Sequence, residues 1–373
     1  MRKQFSPPHF IAPEQIVTYF LRDILRQPEE LQRTLGHLSG AGRGSLDAAV
    51  AALRTARHVY LTGIGSSWHA GLNVSALFQL GAQPVYLVDA AELVQFAAIP
   101  AESVIIVISR SGRSVEIVQL LAKARESGAT VIGITNAADE ALAREAQIAI
   151  VVPVAMDHAI SVNTYTTLAL AAGILAASAG RTARNGCPTD SLSGAFAAAG
   201  RAIPGWQAQI ENSDWLAPHS TTYFLARGSS LGSAYEARLM WEEGVKSPAT
   251  AMGTGSFRHG PQEIVGKDVR FGMWIDGAKM REQDLAVARD LRDLGARVML
   301  IGQRLPEDAG DLVFQLPEIP SEWQFLIDII PAQLVAERLA RLSGVDPDTF
   351  RLCPFVVEDE SGLLPKQLSK EKP

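Results

Sequence analysis

One stretch of the sequence, residues 241–265, combines side chains suited to acid/base chemistry. It begins with two adjacent carboxylates, Glu242 and Glu243, at the end of a helical pattern, and it ends with His259 in the sequence RHGP. Between them, Pro248, Gly253 and Gly255 prevent one continuous helix, so the chain can fold back or reach a neighbouring subunit. A carboxylate and an imidazole at one point form a general acid/base pair. We therefore take Glu243 and His259 as the candidate catalytic groups.

Three other stretches place hydroxyl groups directly after apolar runs. Turns at the carboxyl ends of parallel strands present free N–H groups and a helix N-terminus to an anion. Two such turns from neighbouring strands would surround one phosphate group, and this is our prediction for the first two stretches. Taken singly, each turn is also typical of helix capping. The candidate binding residues are Ser66 and Ser67 in GIGSS, Ser109, Arg110, Ser111 and Ser114 in SRSGRS, and Ser161 in SVNTYTT.

Other site motifs are missing from the sequence. It contains no G-x-G-x-x-G fingerprint, no P-loop lysine, no G-x-S-x-G elbow and no HExxH pair. Cys187 and Cys353 lie far apart without metal-ligand spacing, so we expect no metal and no cofactor. His69, behind the first turn, either lines the pocket or is a packed helix histidine.

Apolar runs alternate with helical patterns along most of the chain. The runs do not alternate with polar residues, which indicates parallel sheets buried on both faces. The segment TYFLARGSSLGSAYEARLMWEE mirrors VYLTGIGSSWHAGLNVSALFQL at an offset of about 160 residues, which indicates an internal repeat. We predict an α/β protein with two doubly wound parallel-sheet domains in tandem. The expected division is a helical arm at 1–45, domains at 46–200 and 201–345, and a tail at 346–373.

Within the arm, residues 12–38 read as helical, with Pro28 starting a second helix. The most apolar segment, residues 167–179, is shorter than a membrane span and reads as a buried helix.

The overall composition is that of an ordinary globular protein. Hydrophobic residues make up 47% and charged residues 20% of the 373 residues, and the net charge is −6. This charge offers no basic field for nucleic acid or an anionic membrane. We expect no nucleic-acid partner, no membrane partner and a cytoplasmic location.

These motifs, taken together and in order, resemble the tandem sugar isomerase (SIS) family, as in the isomerase half of glutamine:fructose-6-phosphate aminotransferase. The resemblance rests on LRDILRQP, GSSWHAG, ISRSGRS, SVNTYTT, the helix from Glu236 to Glu243, and RHGP, and it covers nearly the whole chain. It implies flavodoxin-like domains and a phosphosugar bound by the seven residues named above in the first repeat. It also implies that Glu243 moves a proton between C1 and C2, and that His259 opens the sugar ring in the neighbouring subunit of a homodimer.

The sequence departs from this family at three places. Arg2 stands where the aminotransferases have their glutaminase cysteine, so we expect no glutaminase activity. Met240 stands where the family has a lysine, and the family's C-terminal lysine falls near Phe355. A lysine of the tail, Lys366 or Lys370, could replace the latter.

The resemblance leaves several functions open. The first is a ketose/aldose isomerase or an amino-sugar 6-phosphate deaminase, because both reactions share the proton transfer between C1 and C2. The alternatives are a fructosamine 6-phosphate deglycase and a non-catalytic phosphosugar-binding regulator.

Overall fold

The computed structural model describes residues 17–180, 186–218, 220–360 and 362–363. The first two elements of the described chain are helix α1 (Tyr19–Ser39) and helix α2 (Arg43–Thr55). Helix α1 continues through Pro28, so the expectation of a second helix beginning there is wrong. Proline removes one backbone hydrogen bond, but Pro28 is buried against α8 (Thr189–Glu211), and this packing favours the continuous helix. The predicted helical residues 12–16 lie outside the described residues.

The first sheet consists of five parallel strands: β1 (His58–Thr62), β2 (Tyr86–Leu87), β3 (Ser103–Ser109), β4 (Thr130–Thr135) and β5 (Ile148–Val151). Their spatial order is β2-β1-β3-β4-β5. Strand β3 is buried along its whole length, because its sequence SVIIVIS is covered on both faces. The helices of this half are α3 (Ser66–Leu80), α4 (Ala90–Gln95), α5 (Val115–Ser127), α6 (Ala141–Glu145) and α7 (Asn163–Ala179).

The second sheet repeats this arrangement with β6 (Thr221–Ala226), β7 (Ala249–Gly253), β8 (Val269–Trp274), β9 (Arg297–Gly302) and β10 (Leu312–Gln315). The strands are parallel in the order β7-β6-β8-β9-β10, which is the order of the first sheet. The predicted tandem of doubly wound domains is thereby confirmed. The helices of this half are α9 (Leu231–Met240), α10 (Thr254–Phe257), α11 (Arg281–Asp293) and α12 (Ile329–Leu342).

The two halves pack together through α3 and α9. A Cβ atom at Gly232 would lie 2.2 Å from the carbonyl oxygen of His69, so only glycine permits this close approach. One hydrophobic cluster runs through both halves and includes residues of α1, α7, α8 and α12. The expected domain boundary at residue 200 falls inside α8, and the proposed division of the chain stays a prediction. Within the described residues, no helix is both long and apolar enough to span a membrane.

Candidate functional site

The strand order places the first two serine turns side by side. Strand β2 lies on one side of β1, and the next strand in the chain, β3, lies on the other side. Such a reversal of the strand order opens a crevice beyond the carboxyl ends of β1 and β3. A Cβ atom at Gly63 would lie 3.0 Å from the carbonyl oxygen of Ile108 and 2.8 Å from the carbonyl carbon of Ser67. The turn after β1 thus lies directly against the end of β3.

The SRSGRS loop, residues 109–114, connects β3 to the start of α5. The Oγ atom of Ser109 accepts a 3.0 Å hydrogen bond from the amide of Gly112 and holds the loop closed. Ser114 occupies the N-cap position of α5, but its side chain makes no capping bond. Its Oγ atom is buried and has no hydrogen-bond partner among the described residues. A buried, unpaired hydroxyl at a helix N-terminus suits an anionic ligand.

Arg110 connects the loop to two other parts of the chain. Its guanidinium donates to Ser161 Oγ at 3.0 Å, to the carbonyl oxygen of Ala159 at 3.2 Å, and to that of Phe355 at 2.9 Å. Ser161 lies just before α7, whose start is capped by Asp157. Arg110 therefore joins the SRSGRS loop to the segment before α7 and to the C-terminal segment.

Glu243 lies at the end of α9, where residues 241–245 form a single π-helical turn. Its carboxyl group is partly buried. Burial first, and then the negative charges of Glu236 and Glu242, raise the pKa of Glu243 to about 7, while Arg110 and Lys246 oppose the rise. The interaction with Arg110 places this carboxyl within electrostatic reach of the SRSGRS loop. A carboxyl of this kind can both accept and donate a proton near neutral pH.

Two side chains near Glu243 are absent from the sequence-based site. The ammonium group of Lys246 donates to the backbone carbonyl of Glu243 and, at 3.0 Å, to that of Thr349. Cys353 is close enough to both Glu243 and Arg110 for their charges to act on its pKa, which burial raises. The one sequence signal that could have indicated a role for Lys246 is its position, three residues after Glu243. By contrast, Met240 is fully buried in the core, so its thioether serves packing.

The structure does not bring His259 to Glu243 within one chain. The side chain of His259 is exposed and makes no described hydrogen bond or ion pair, although its backbone amide donates to the carbonyl of Ser256 at 3.0 Å. The predicted tail residues Lys366 and Lys370 lie outside the described part of the chain.

The C-terminal segment, residues 346–358, crosses the SRSGRS loop. The amide of Val115 donates to the carbonyl of Val357, and Arg113 pairs with Glu358 at 3.1 Å. At its other end, Asp348 caps α1 through the amides of Tyr19 and Phe20.

The second repeat has the same turn with different chemistry. A cavity of about 660 Å³ lies beside Ser229, Ser230 and Asp276. The hydroxyl of Ser230 is turned inward and donates to the buried Asp328 at 2.6 Å. In the loop after β8, the carboxylate of Asp276 accepts the amide of Lys279 at 2.8 Å, much as Ser109 Oγ accepts the amide of Gly112 in the first repeat. A carboxylate at this place repels an anion.

His69 forms a buried pair across the interface between the two halves. Its Nδ1 atom lies 2.7 Å from Glu236 Oε2, and the two residues are 3% and 0% exposed. The sequence left two interpretations of His69, a packed helix histidine or a residue that lines a pocket. The buried contact of Nδ1 with Glu236 agrees with the first, and the ring also lines a cavity.

Comparison with known families assigns the first half of the chain. The family model described as SIS domain matches residues 52–177. The chain carries a SIS domain. The second sheet repeats the strand order of this SIS domain, so the chain is a tandem of two SIS-type folds.

Curated relatives match most of this SIS protein, but the chain spans only about 56% of their length. One is the glutamine–fructose-6-phosphate aminotransferase (isomerizing) of Pyrobaculum aerophilum, 24% identical over 337 residues, which are 88% of this chain and 56% of that protein.

Three solved structures share the tandem SIS fold. The C-terminal domain of glucosamine-fructose-6-phosphate aminotransferase from Francisella tularensis has a TM-score of 0.82 at 22% identity, covering 90% of this chain and 99% of that one. Glucosamine-6-phosphate deaminase from Thermotoga maritima has a TM-score of 0.76 at 21% identity, covering 91% and 99%. Tagatose-6-phosphate ketose/aldose isomerase from Escherichia coli has a TM-score of 0.76 at 20% identity, covering 90% and 96%. At these identities the similarity shows the fold. By their names, these three neighbours are an aminotransferase, a deaminase and an isomerase of phosphosugars.

Proposed function

We propose that the chain binds a hexose or hexosamine 6-phosphate in its first repeat and moves a proton between C1 and C2 of the sugar. It would act as a ketose/aldose isomerase or as an amino-sugar 6-phosphate deaminase. The observation that carries this proposal is the carboxyl of Glu243, whose pKa of about 7 is set by burial beside a loop suited to phosphate. A general base is most effective when its pKa lies near the working pH.

The phosphate group would bind at the SRSGRS loop. Amide groups at the start of α5 and the unpaired hydroxyl of Ser114 supply donors, and Ser66, Ser67 and Ser111 lie on the two adjoining turns. Arg110 would contribute positive charge between the phosphate and Ser161. The reacting end of the sugar would then extend towards Glu243.

Glu243 would remove the proton from C2 of an aldose, and the C–H electrons would form the C1=C2 bond of an enediol while the carbonyl oxygen at C1 is protonated. Return of the proton to C1, together with loss of the proton from the C2 hydroxyl as the C2=O bond forms, gives the ketose. With an amine at C2, the same transfer gives an imine at C2, which water hydrolyses to the ketose and ammonia. The first half of both reactions needs the same base.

His259 is our candidate for opening the sugar ring. Because its side chain is exposed and unpaired within the described chain, it is available to the site of a second subunit. In a homodimer of this kind, mixing Glu243→Gln chains with His259→Ala chains should restore part of the activity. Complete inactivity of the mixture, with exchange of subunits verified, would contradict a shared site.

The direct test is a panel of hexose, hexosamine and fructosamine 6-phosphates, measured for thermal stabilisation and for turnover. We expect stabilisation by at least one compound, and turnover that is lost in Glu243→Gln while stabilisation remains. Release of an amine from fructosamine 6-phosphate alone would favour the deglycase. Binding without any turnover would favour a non-catalytic regulator, and stabilisation by none of the compounds would refute the phosphosugar site.

A further inference from the structure

A buried hydrogen bond joins the two helices that carry the two parts of the proposed site. Helix α3 begins with Ser66 and Ser67, and His69 lies in the same first turn. Glu236 lies on α9, which leads into the π-helical turn with Glu243. The Nδ1 atom of His69 lies 2.7 Å from Glu236 Oε2, and both side chains are buried. The bond therefore connects the first serine turn to the helix of the proposed base.

Helices α3 and α9 approach each other very closely beside this bond. A Cβ atom at Gly232, one turn before Glu236, would lie 2.2 Å from the carbonyl oxygen of His69 and from Asn73 Oδ1. The side-chain amide of Asn73 in turn donates to the hydroxyl of Tyr165, on α7, at 2.7 Å. The start of α3 is thus held against both α9 and α7, so its position depends on these contacts.

The pair of His69 and Glu236 is an expensive way to join two helices. Burial of a carboxylate is unfavourable, and a buried polar pair often stabilises a fold no more than apolar residues of similar size. In addition, Glu236 Oε1 is buried and has no hydrogen-bond partner among the described residues. An apolar contact would join α3 to α9 without this unpaired oxygen. Stability alone therefore does not explain the pair.

Glu236 also brings a second carboxylate near the proposed base. Glu236 and Glu243 are seven residues apart, which is about two helical turns, so they lie on nearly the same side of α9 and the turn that follows it. Burial is the main cause that raises the pKa of Glu243, and the negative charge of Glu236 is the next. A nearby negative charge makes the ionisation of an acid less favourable.

Other titratable groups face these two carboxyl groups from the surrounding elements. The hydroxyl of Tyr165 lies within electrostatic reach of Glu236, which raises the already high pKa of this tyrosine after burial has done so. The further groups that interact with Glu243 are Arg110 of the SRSGRS loop, Glu242 and Lys246 of its own turn, and Cys353 of the C-terminal segment. Among all these groups and His69, only His69 belongs to α3.

We propose that His69 and Glu236 form a positioning pair for the proposed reaction, which holds the Ser66–Ser67 turn against the helix of Glu243 and places a negative charge near this base. The inference rests on the proposed function. A neutral and a protonated imidazole can both donate from Nδ1, so the bond forms in either state of His69. The pair acts through the turn and through Glu243, without contact to the sugar phosphate.

Glu236→Gln tests the charge, because glutamine keeps the size of the side chain and its capacity to bond His69. The pH profile of kcat/KM is measured with the compound of the panel that the native chain turns over fastest. We expect the acidic limb to move to lower pH by about half a unit to one unit, because Glu243 then ionises more easily. An unshifted limb would overturn the inference.

The matched control for this profile is Ser233→Ala. It removes a buried 2.6 Å hydrogen bond between α9 and Asp328, one turn before Glu236. The change should lower stability in urea unfolding while the acidic limb stays in place. An equal shift of the limb in Ser233→Ala and Glu236→Gln would show a general effect of loosening α9, and would also overturn the inference.

His69→Leu tests the positioning, since it removes the donor to Glu236 with a side chain of similar size. We expect the Kd of fructose 6-phosphate, measured by calorimetry, to rise about tenfold, because Ser66 and Ser67 lose their fixed place. His69→Asn, which returns a donor near the place of Nδ1, should bind within about threefold of the native chain. An unchanged Kd in His69→Leu, or an equal loss in both variants, would overturn the positioning role. If His69→Leu does not fold, Glu236→Gln still decides.

Failure of the inference is distinguishable from failure of the proposed function. If the native chain neither binds fructose 6-phosphate nor turns over any compound of the panel, the proposed function fails and the inference fails with it. If the native chain does both, and the variants of the pair behave like the native chain, the inference alone is refuted.

Discussion

The backbone amide of Val115 donates a 3.0 Å hydrogen bond to the carbonyl oxygen of Val357. The C-terminal segment thereby covers an amide at the start of α5 that would otherwise face an anion in the SRSGRS loop. The next residue, Glu358, adds a carboxylate paired with Arg113. A phosphorylated ligand would therefore meet a carbonyl dipole and a negative charge at the loop proposed to bind its phosphate.

Glu358→Gln should increase the affinity for inorganic phosphate about two- to fivefold, because it removes a partly exposed negative charge and frees Arg113. Calorimetry at low ionic strength measures the effect. The matched control is Glu102→Gln, which breaks an exposed pair with Arg57 at the amino ends of β1 and β3, at the other end of these strands from the loop. A decrease in phosphate affinity for Glu358→Gln would show that the segment contributes to the site instead of competing for it.

Ser114→Ala should weaken phosphate and sugar phosphate binding about tenfold while leaving the stability of the free protein nearly unchanged. The reason is that Ser114 Oγ has no hydrogen-bond partner among the described residues, so its removal breaks no bond in the ligand-free protein. Ser229→Ala, in the Gly-Ser-Ser turn that follows β6 of the second repeat, is the control. Equal weakening by both substitutions, or weakening of unphosphorylated fructose as well, would argue against a phosphate contact at Ser114.

Lys246→Met should move the acidic limb of the kcat/KM profile to higher pH by about half a unit to one unit. The positive charge of Lys246 lowers the pKa of Glu243, and the base has to be ionised to act. The other charged groups that act on Glu243, namely Glu236, Glu242 and Arg110, are unchanged. Lys267→Met provides a control. An unshifted limb would mean that Glu243 does not determine it.

Glu243→Gln should change stability in a pH-dependent way. Because folding raises the pKa of Glu243 from 4.5 to about 7, the unfolded chain releases this proton at lower pH than the folded protein. Ionisation of this carboxyl therefore lowers the free energy of unfolding progressively as the pH rises from 4.5 to about 7. The full decrease in the free energy of unfolding is present above that range. The variant should thus be more stable than the native chain by about 1–3 kcal/mol at pH 8.5, with little difference at pH 4.5.

Urea unfolding at the two pH values measures this difference. Glu242→Gln, at the exposed neighbouring carboxylate, should show a much smaller change. If the native chain and Glu243→Gln were equally stable at pH 8.5, the prediction would be wrong. Ionisation of the Glu243 carboxyl would then not destabilise the folded protein.

Much of the fold follows from local patterns. Strands such as SVIIVIS and RVMLIG occur where apolar runs predict them, and the repeated strand–serine turn–helix unit gives two sheets of the same order. The errors occur where tertiary packing outweighs local preference. Pro28 remains inside α1 because the helix is held between buried partners, and β7 forms between Glu243 and His259, where no strand was predicted from the sequence.

The sequence by itself determined which side chains could do chemistry, because residue type sets the available acids, bases and hydroxyls. It also determined which repeat carries the serine-rich turns, because these follow the strands directly. Only the tertiary structure decided which of these groups meet. Arg110 reaches Ser161 and Phe355, which are far from it in sequence, and Met240 faces the core while Lys246 lies beside Glu243. Distances between remote residues and the burial that raises the pKa of Glu243 depend on the packing of whole elements, and no local pattern encodes them.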